Sequence, residues 1–292
     1  MRTQIYKIIH AFFRIPFFEK ILKLFVTGRY GNAFIIRFVP PFNTYPNPTY
    51  RLAKKNTLKL HANMHDYNDW KAYWGIIEHE RENLYKLAES AEMVIDMGTN
   101  NGWVLMNIAS IIAKNNGFVY GFEPFPDTYK RCMQNIKSSG ITNAQVFNLG
   151  CGETENSFEM EVVFEGNSGQ NRIVEKTEKE PGKKMVQVNV TTLDKQLGNI
   201  KKIDLIKIDV EGFELHVLKG AYNLLKKHRP VIFMEVNDPL LKANNTSSGE
   251  VLSFLKTNYN YKITNAANGN LIDEKGNFNN CQLDVICYPD NN

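Results

Sequence analysis

The sequence has few residues suited to a metal centre or a disulfide framework. Its four cysteines, Cys132, Cys151, Cys281 and Cys287, show no C-x-x-C spacing and have no neighbouring histidine pair. The six histidines are also scattered along the chain. Isolated cysteines of this kind are typical of reduced thiols in a reducing compartment. We therefore expect a cytoplasmic protein without a zinc site.

Apolar runs long enough to cross a membrane are also missing. Residues 5–26 are rich in Ile, Phe and Leu, but bases interrupt them every few residues. The interrupting bases are Lys7, Arg14, Lys20 and Lys23. Because a spanning helix needs about 20 apolar residues, and no small-residue cleavage site follows, we expect neither a transmembrane segment nor a secretory signal. An amphipathic basic helix, broken or begun at Pro16, fits better. It would lie on the inner face of a membrane, pack on the domain or form a homodimer interface.

Acidic residues are nearly absent from the first 60 residues, which hold eleven Lys and Arg against Glu19 alone. That segment carries a charge of +10, whereas the rest of the chain, with 24 bases and 30 acids, carries −6. Proteins that bind nucleic acid concentrate bases on the binding domain. The basic character here belongs to the N-terminal arm, so no nucleic-acid partner is expected.

Four prolines in residues 38–50 predict a fixed, extended connector. Residues 1–68 would then form an arm and connector, and residues 69–292 the main domain. Apolar residues at helical spacing over 69–90 predict one helix that leads into the first strand of that domain. Most of its aromatic side chains are expected in the core, and some over the turn that follows this first strand.

The third glycine of the nicotinamide fingerprint G-x-G-x-x-G is missing from the turn that follows the first predicted strand. Asp96, Gly98 and Gly102 give the pattern D-x-G-x-x-x-G instead. Glycines allow positive φ, and the amides at a helix N-terminus can receive a polar or anionic group. A second strand ends at Glu123, an acid placed to accept hydrogen bonds from a ribose. Taken alone, the turn also fits an ordinary strand-to-helix junction.

Strands and helices alternate along most of the remaining chain, which predicts a parallel sheet with right-handed crossovers. Strands are predicted at residues 94–96, 118–123, 144–149, 203–208, 231–236, 261–264 and 282–288, and helices at 104–113, 127–138, 213–227 and 246–255. The last strand follows a short connection without a helix and should be antiparallel. The expected fold class is therefore α/β, with a Rossmann-like, seven-stranded, mostly parallel sheet and a helical N-terminal extension.

The regular alternation lapses at about residues 153–191. Residues 157–164 and 184–191 alternate apolar and polar side chains, which predicts a β-hairpin insertion. Its long loop contains Asn167, Ser168, Gln170, Asn171 and Arg172. Loops of this length are often lids over a substrate, although disorder is an alternative.

These segments together resemble the FkbM family of methyltransferases. The matching pieces are residues 94–102, Phe122-Glu123-Pro124, Thr192-Leu193-Asp194, residues 206–214, residues 217–221 and residues 229–235. The run Ile206-Lys207-Ile208-Asp209-Val210-Glu211-Gly212-Phe213-Glu214 is the most specific of them. The resemblance covers about residues 90–265 and not the arm. It implies a Rossmann-like sheet and methyl transfer from S-adenosylmethionine, most often to a hydroxyl oxygen.

The sequence departs from the family pattern at two positions of the turn. Thr99 stands where alanine is common, and Asn101 where an apolar residue is common. Both side chains are small enough to keep the turn, so we expect cofactor binding to persist.

The carboxyl ends of the strands would gather the cofactor-binding residues in one crevice. We expect Asp96 and the turn amides to hold the methionine part, Glu123 the ribose, and Pro124, Phe125 and residues 148–151 the adenine. The full candidate set is Asp96, Gly98, Thr99, Asn100, Gly102, Trp103, Glu123, Pro124, Phe125, Asn148, Gly150, Cys151 and Asp209.

Transfer to a neutral hydroxyl requires alignment, which supplies roughly 7 kcal/mol in favourable cases, and removal of a proton, which supplies about 100-fold or more. Asp209 is the first candidate for the base or substrate-orienting group, Glu211 the second and Glu235 the third. Burial or a partner acid would have to raise the pKa of such a carboxylate. Asp209 and Glu235 would suit Mg²⁺, but a metal-free site is the preferred interpretation. Glu214 is expected to stabilise a helix N-terminus.

The sequence thus predicts an S-adenosylmethionine-dependent O-methyltransferase acting on a hydroxyl of a sugar, glycan or related metabolite. The basic, apolar arm favours a surface glycan or its lipid-linked precursor at the cytoplasmic membrane face. One alternative is an NAD-dependent dehydrogenase or epimerase, which the missing glycine disfavours. The other is a non-catalytic, membrane-docked interaction protein on a methyltransferase fold.

Overall fold

A computed structural model describes residues 2–162, 169, 171–174, 184–273 and 276–290 of the chain. Its helices and strands follow in chain order. They are α1 (Arg2–Phe13), α2 (Pro16–Val26), β1 (Tyr50–Lys55), β2 (Leu58–Asn63), α3 (Tyr67–Trp74), α4 (His79–Ala88), β3 (Met93–Met97), α5 (Trp103–Ile112), β4 (Phe118–Phe122), α6 (Pro126–Ser139), β5 (Ala144–Phe147), β6 (Gly150–Cys151), β7 (Asn156–Val162), β8 (Arg172–Val174), β9 (Lys184–Thr191), α7 (Leu193–Leu197), β10 (Leu205–Ile208), α8 (Glu214–Gly220), α9 (Tyr222–His228), β11 (Val231–Asn237), α10 (Asp238–Ala243), α11 (Ser248–Tyr259), β12 (Tyr261–Asn265) and β13 (Gln282–Pro289).

Seven strands form the central sheet in the order β12-β13-β11-β10-β3-β4-β5. Strand β13 runs antiparallel to both of its neighbours, and the other pairs are parallel. This arrangement confirms the predicted Rossmann-like sheet with an antiparallel last strand. The strand order reverses between β3 and β10, which is where an open α/β sheet binds its ligands.

Helices cover both faces of this sheet. Ile95 and Ile206 pack into a core that includes side chains from α8, α9 and α11. Their neighbours Val94 and Leu205 point the other way and pack against α4, α5 and α6. Because successive side chains of a strand lie on opposite faces, a strand between two helical layers is covered on both of them and is mostly apolar. Strand β10 is buried at every position for this reason, and its one charged residue is Lys207.

Several boundaries differ from those expected. The helix predicted over residues 69–90 is divided into α3 and α4, because Gly75 adopts a φ of 65° and caps α3. The helix predicted over 213–227 is divided at Ala221. The extended connector predicted at residues 38–50 instead contains a short 3₁₀ turn, Phe42–Thr44, and another, Phe34–Phe38, ends at its first residue. It is followed by the unpredicted hairpin β1–β2, whose Lys59 and His61 amides donate to Ser139 and Asn135 of α6.

The insertion between β5 and α7 is the expected β-hairpin. Strands β7 and β9 pair antiparallel, and β6 and β8 complete a small four-stranded sheet. Met160, Ile173 and Val188 of this sheet pack against Phe125 and Phe213 of the main domain. Three of the loop residues named above, Asn167, Ser168 and Gln170, lie outside the described residues.

The N-terminal arm packs on the domain through a buried carboxylate in α2. Glu19 accepts hydrogen bonds from Arg51 Nε at 2.7 Å, Tyr73 Oη at 2.7 Å and Tyr45 Oη at 3.4 Å. Burial raises the pKa of both tyrosines, which therefore stay protonated and keep donating. Pro16 begins α2, which is one of the two alternatives that the sequence indicated.

In the described part of the chain, no helix is both long and apolar enough to cross a lipid bilayer.

Replacing Glu19 with Ala should lower the free energy of unfolding by about 2–4 kcal/mol, because it leaves Arg51 and two buried hydroxyls without their acceptor. The measurement is urea unfolding followed by circular dichroism. Glu89→Ala, which removes an exposed carboxylate, is the control and should change stability by no more than about 0.5 kcal/mol. Equal effects of the two substitutions would contradict the packing role of Glu19.

Candidate functional site

A cavity of about 760 Å³ lies at the carboxyl ends of the central strands, beside the point where strand order reverses. Its volume is in the range of small-molecule sites, which is about 300–1,000 Å³. One wall, which we call the turn side, comprises residues 98–101 with Glu123 and Pro124. The opposite wall, the acidic side, comprises Asp209, Glu211, Glu235 and Asp284.

The turn side depends on backbone conformations that follow β3. Gly98 has a φ of 76°, and a Cβ atom there would lie 1.8 Å from the carbonyl oxygen of Asp209. Only glycine can therefore hold the turn this close to the end of β10. Asn100 also has a positive φ of 51°. The amides of Gly98 and Thr99 both donate to the Phe122 carbonyl oxygen at 3.1 Å, which ties the turn to the end of β4.

Glu123 joins this turn to the end of β4. Its Oε2 accepts a hydrogen bond from the Asn100 amide at 2.8 Å, and its Oε1 accepts one from the Phe125 amide at 3.0 Å. Burial raises the pKa of Glu123 to about 7, although the two amide hydrogen bonds favour the charged form. Each carboxylate oxygen keeps a second lone pair. Glu123 can thus shape the turn and still accept hydroxyl groups of a ligand.

Lys207 of β10 links the turn side to the acidic side. Its Nζ lies 3.0 Å from Asp96 Oδ1 and 3.5 Å from Asp209 Oδ2, and donates to the Gly98 carbonyl oxygen at 2.8 Å. Burial alone would lower the pKa of Lys207, but the charges of Asp96 and Asp209 outweigh it, so the pKa is raised. The ammonium group therefore stays charged and holds the ends of β3 and β10 together.

Four carboxyl groups converge on the acidic side. Asp209, Glu211 and Glu235 each offer an oxygen within 4.8 Å of the others, and Asp284 lies directly opposite Glu235 in the β11–β13 pair. Burial and the neighbouring negative charges raise the pKa of Glu211 and of Glu235, and raise that of Asp284 to about 7. Near neutral pH these side chains can therefore both release and accept a proton, and a general base is most effective when its pKa lies near the working pH.

The backbone at Glu211 is strained. Its φ is 54°, in the left-handed region that a non-glycine residue occupies at a cost of about 1–3 kcal/mol. The loop is held by Glu214, the first residue of α8, whose Oε1 accepts from the Val210 and Gly212 amides at 3.3 and 3.1 Å. Glu214 does not line the cavity, and its position at the helix start matches the structural role expected for it.

Most of the sequence-predicted site residues meet at this cavity. Those that line it are Gly98, Thr99, Asn100, Trp103, Glu123, Pro124, Gly150, Cys151, Asp209, Glu211 and Glu235. Asn171 and Arg172 of the hairpin insertion also line it, as expected of a covering loop.

Four predicted cofactor residues do not line the cavity. Asp96 is fully buried behind the turn and pairs with Lys207, so its effect on a ligand is indirect. Gly102 packs against Cys132, and Phe125 lies in the cluster with Phe213. The Asn148 side-chain amide donates to the backbone carbonyl oxygens of Glu123 and Pro124 at 2.9 and 3.0 Å. These residues support the walls instead of forming the surface.

Sequence reasoning missed the contributions of α3, α4 and β13. Lys71 and Arg81 bring bases to the cavity from the two helices, and Asp284 and Gln282 line it from the last strand. The Gln282 amide donates to Glu235 Oε1 at 3.0 Å. The sequence did contain one signal for the residues of β13, which is the alternation of polar and apolar side chains along that strand. The partners of those polar side chains follow only from the order of the strands in the sheet.

The acidic side also has the chemistry of a divalent-cation site. Carboxylate oxygens from Asp209, Glu211 and Glu235 are the ligand type that Mg²⁺ prefers. Glu211 and Glu235 would first have to release the protons that their raised pKa values favour.

Replacing Asp284 with Asn should stabilise the protein at high pH. Because the pKa of Asp284 is raised from 3.8 to about 7 on folding, the folded state binds more protons than the unfolded state between these values. Stability is therefore lost as the pH rises through this window. We expect Asp284→Asn to raise the free energy of unfolding by roughly 2 kcal/mol at pH 8 and by little at pH 4.

Urea unfolding at both pH values, with a chelator present, makes this measurement. Asp127→Asn, which alters an exposed carboxylate outside the cavity, is the control and should show no such difference. A gain for Asp284→Asn that is the same at pH 4 and pH 8 would contradict the raised pKa.

The strand order and the cavity at the switch point define a Rossmann-like α/β protein of the methyltransferase class. The chain belongs to the FkbM methyltransferase family, since the family model described as "Methyltransferase FkbM domain" matches residues 96–263. This match confirms the resemblance inferred from the sequence.

Two curated methyltransferases are similar to the chain. "Hexuronic acid methyltransferase AglP" of Haloferax volcanii is 28% identical over 152 residues, which cover 51% of this chain and 58% of that protein. "Methyltransferase 1" of Beauveria bassiana is 27% identical over 146 residues, which cover 44% of this chain and 57% of that protein. The matches therefore span less than two thirds of either relative's length.

Among solved structures, the FkbM methyltransferase from Methylobacillus flagellatus KT is 18% identical, with a TM-score of 0.43. That match covers 68% of this chain and 44% of the other. The strand order of this chain, and not this likeness, defines its fold.

Proposed function

We propose that the protein transfers a methyl group from S-adenosylmethionine to a hydroxyl oxygen of a sugar or glycan. The observation that carries this proposal is the single cavity in which the turn side faces the acidic side. The first wall suits a nucleoside with a charged amino-acid part. The second wall suits a hydroxyl group that must lose a proton.

The turn side would hold the donor. Glu123 has carboxylate lone pairs that can accept from ribose hydroxyls, and the turn that follows β3 lines the cavity just before the N-terminus of α5. When bound, S-adenosylmethionine supplies an electrophilic methyl carbon, whose bond to sulfur breaks as the acceptor oxygen attacks it. The cavity residues fit this ligand because they place a buried carboxyl acceptor beside a close-packed glycine turn in one concave site.

The acidic side would orient the acceptor hydroxyl and take its proton. Asp209 is partly exposed to the cavity, while Lys207 holds its carboxylate in place. A hydrogen bond joins Asp209 to Glu235, which favours the protonated form of Glu235. Glu235 in this form donates to Asp209 and would hold its carboxylate toward the acceptor hydroxyl, whose proton Asp209 would take.

The charge of the cavity favours a sugar over a nucleic acid. Among the described residues, seven acids and four bases line it. Such a lining gives phosphate groups few unpaired positive partners, whereas carboxyl groups form hydrogen bonds with hydroxyl groups. The similarity to a hexuronic acid methyltransferase supports the same acceptor class.

Replacing Glu123 with Gln should weaken S-adenosylmethionine binding about tenfold, since it exchanges a charge-assisted acceptor for a neutral amide. Glu214→Gln is a matched control, because burial also raises the pKa of Glu214 to about 7 and Glu214 also accepts backbone amides, but it does not line the cavity. Isothermal titration measures both affinities, and titration with NAD⁺ tests the dehydrogenase alternative. Folded wild-type protein that binds no S-adenosylmethionine would refute the donor assignment.

Replacing Asp209 with Asn should reduce turnover at least about 100-fold, because the acceptor hydroxyl loses its base, while the affinity for S-adenosylmethionine stays within about twofold. Turnover is measured as a mass shift of one methyl group on components of a glycan extract incubated with enzyme and donor. Asp127→Asn serves as the control and should keep full turnover. Wild-type turnover in the Asp209 variant would remove Asp209 from the mechanism.

A further inference from the structure

Helix α2 is apolar on two opposite faces. Its inner face buries Leu22 and Val26 beside Glu19. Its outer face carries Phe17, Ile21, Leu24 and Phe25, at helical spacing, and the exposed fractions of Phe17 and Leu24 are 67% and 80%. Because the inner face alone accounts for packing on the domain, the outer face is an apolar surface that this fold leaves uncovered.

Helix α1 has a similar exposed row. Ile5, Ile8 and Phe12 lie three and four residues apart on one face, and 71% of the Ile8 side chain is exposed. The Phe12 ring lies 3.8 Å from the Phe18 ring of α2, measured between centroids. The two helices are therefore in contact, and each has an uncovered apolar row. We call the two rows together the arm face.

The charge around the arm face has one sign. The first 40 residues contain seven bases, and their one acid is Glu19. Glu19 is buried and paired with Arg51, so it does not offset the positive charge at the surface. Lys7 of α1 and Lys20 of α2 are both exposed. Exposed apolar side chains flanked by bases are the features of a helix that lies in the interface of an anionic bilayer.

From this combination we infer that the arm face docks on an anionic lipid surface. A second copy of the chain is a poorer occupant, because a twofold dimer through this face would place two positive surfaces together. An anionic bilayer instead offers hydrocarbon to the apolar rows and phosphate groups to Lys7 and Lys20. The inference concerns binding alone and holds whether or not the proposed methyl acceptor is correct.

The arm also contacts elements that line the catalytic cavity. Tyr73 of α3, which donates to Glu19, belongs to the same helix as Tyr67 and Lys71 of the cavity wall. A second, mainly apolar pocket of about 310 Å³ shares Tyr67 and Lys71 with the cavity and is lined on its other side by Ile36 of the arm. Docking through the arm face would therefore orient this part of the cavity relative to the bilayer.

Vesicle co-sedimentation of the full chain tests the apolar part of the inference. The probes are vesicles of phosphatidylglycerol mixed with phosphatidylcholine, and vesicles of phosphatidylcholine alone. Wild-type protein should bind the anionic vesicles more tightly, and Leu24→Ser should weaken that binding at least about tenfold. Met133→Ser, which alters an exposed apolar residue on α6, should bind like the wild type.

Replacing two lysines of the arm tests the electrostatic part of the inference. Lys7→Gln with Lys20→Gln should weaken binding to the anionic vesicles about 25-fold, at about fivefold for each charge. Lys226→Gln with Lys262→Gln, which removes two exposed charges elsewhere, should leave it unchanged.

Three results would overturn the inference. Equal binding by wild type and Leu24→Ser is one, and absence of wild-type binding to both vesicle types is another. The third is a wild-type protein that binds no vesicles and forms a dimer, seen by sedimentation velocity, which the Leu24→Ser substitution dissociates. The arm face would then be an interface between two copies of the chain.

Discussion

The buried ammonium group of Lys207 is the constraint on which the site depends. It lies between Asp96 and Asp209 and donates to the backbone of the glycine turn, so one cation joins the ends of β3 and β10. These strands flank the point where the sheet order reverses, and the two walls of the cavity begin at their ends. Without a charge at this position, the buried Asp96 carboxylate and the partly exposed Asp209 carboxylate would repel each other across the junction. The ion pairs therefore set the separation of the walls.

The acidic side shows how function and stability oppose each other in this fold. Four carboxyl groups crowd one wall, and the strained backbone at Glu211 adds to the cost. Surrounding contacts offset part of it: Lys207 balances Asp209, Gln282 donates to Glu235, and Glu214 holds the loop amides. Repulsion between neighbouring carboxylates destabilises their charged forms and so weakens the fold. The same repulsion raises the pKa values of these groups, which makes their carboxylates stronger bases for catalysis.

Local patterns were sufficient for the sheet and for the turn side. Apolar runs located the strands, and the missing helix before β13 predicted its antiparallel direction, because those features depend on neighbouring residues. Asp284 was missed because its place opposite Glu235 depends on the pairing of β11 with β13. The indirect role of Asp96 was missed for a similar reason, since its partner Lys207 lies on the next strand of the sheet. Burial and long-range partners, unlike periodicity, are properties of the whole fold.

The N-terminal arm illustrates a different limit of the sequence. The composition of the arm did not distinguish membrane docking from packing on the domain, because an apolar helix that carries bases is compatible with both roles. The structure separates them by face: the Glu19 face of α2 packs on α3 and β1, and the face with Leu24 remains exposed. A helix of 11 residues with apolar side chains on two opposite faces can thus pack on the domain through one face and leave the other face exposed for a partner. Since α3 also lines the cavity, whatever covers the exposed face is connected, through the hydrogen bond between Tyr73 and Glu19, to a helix of the cavity wall.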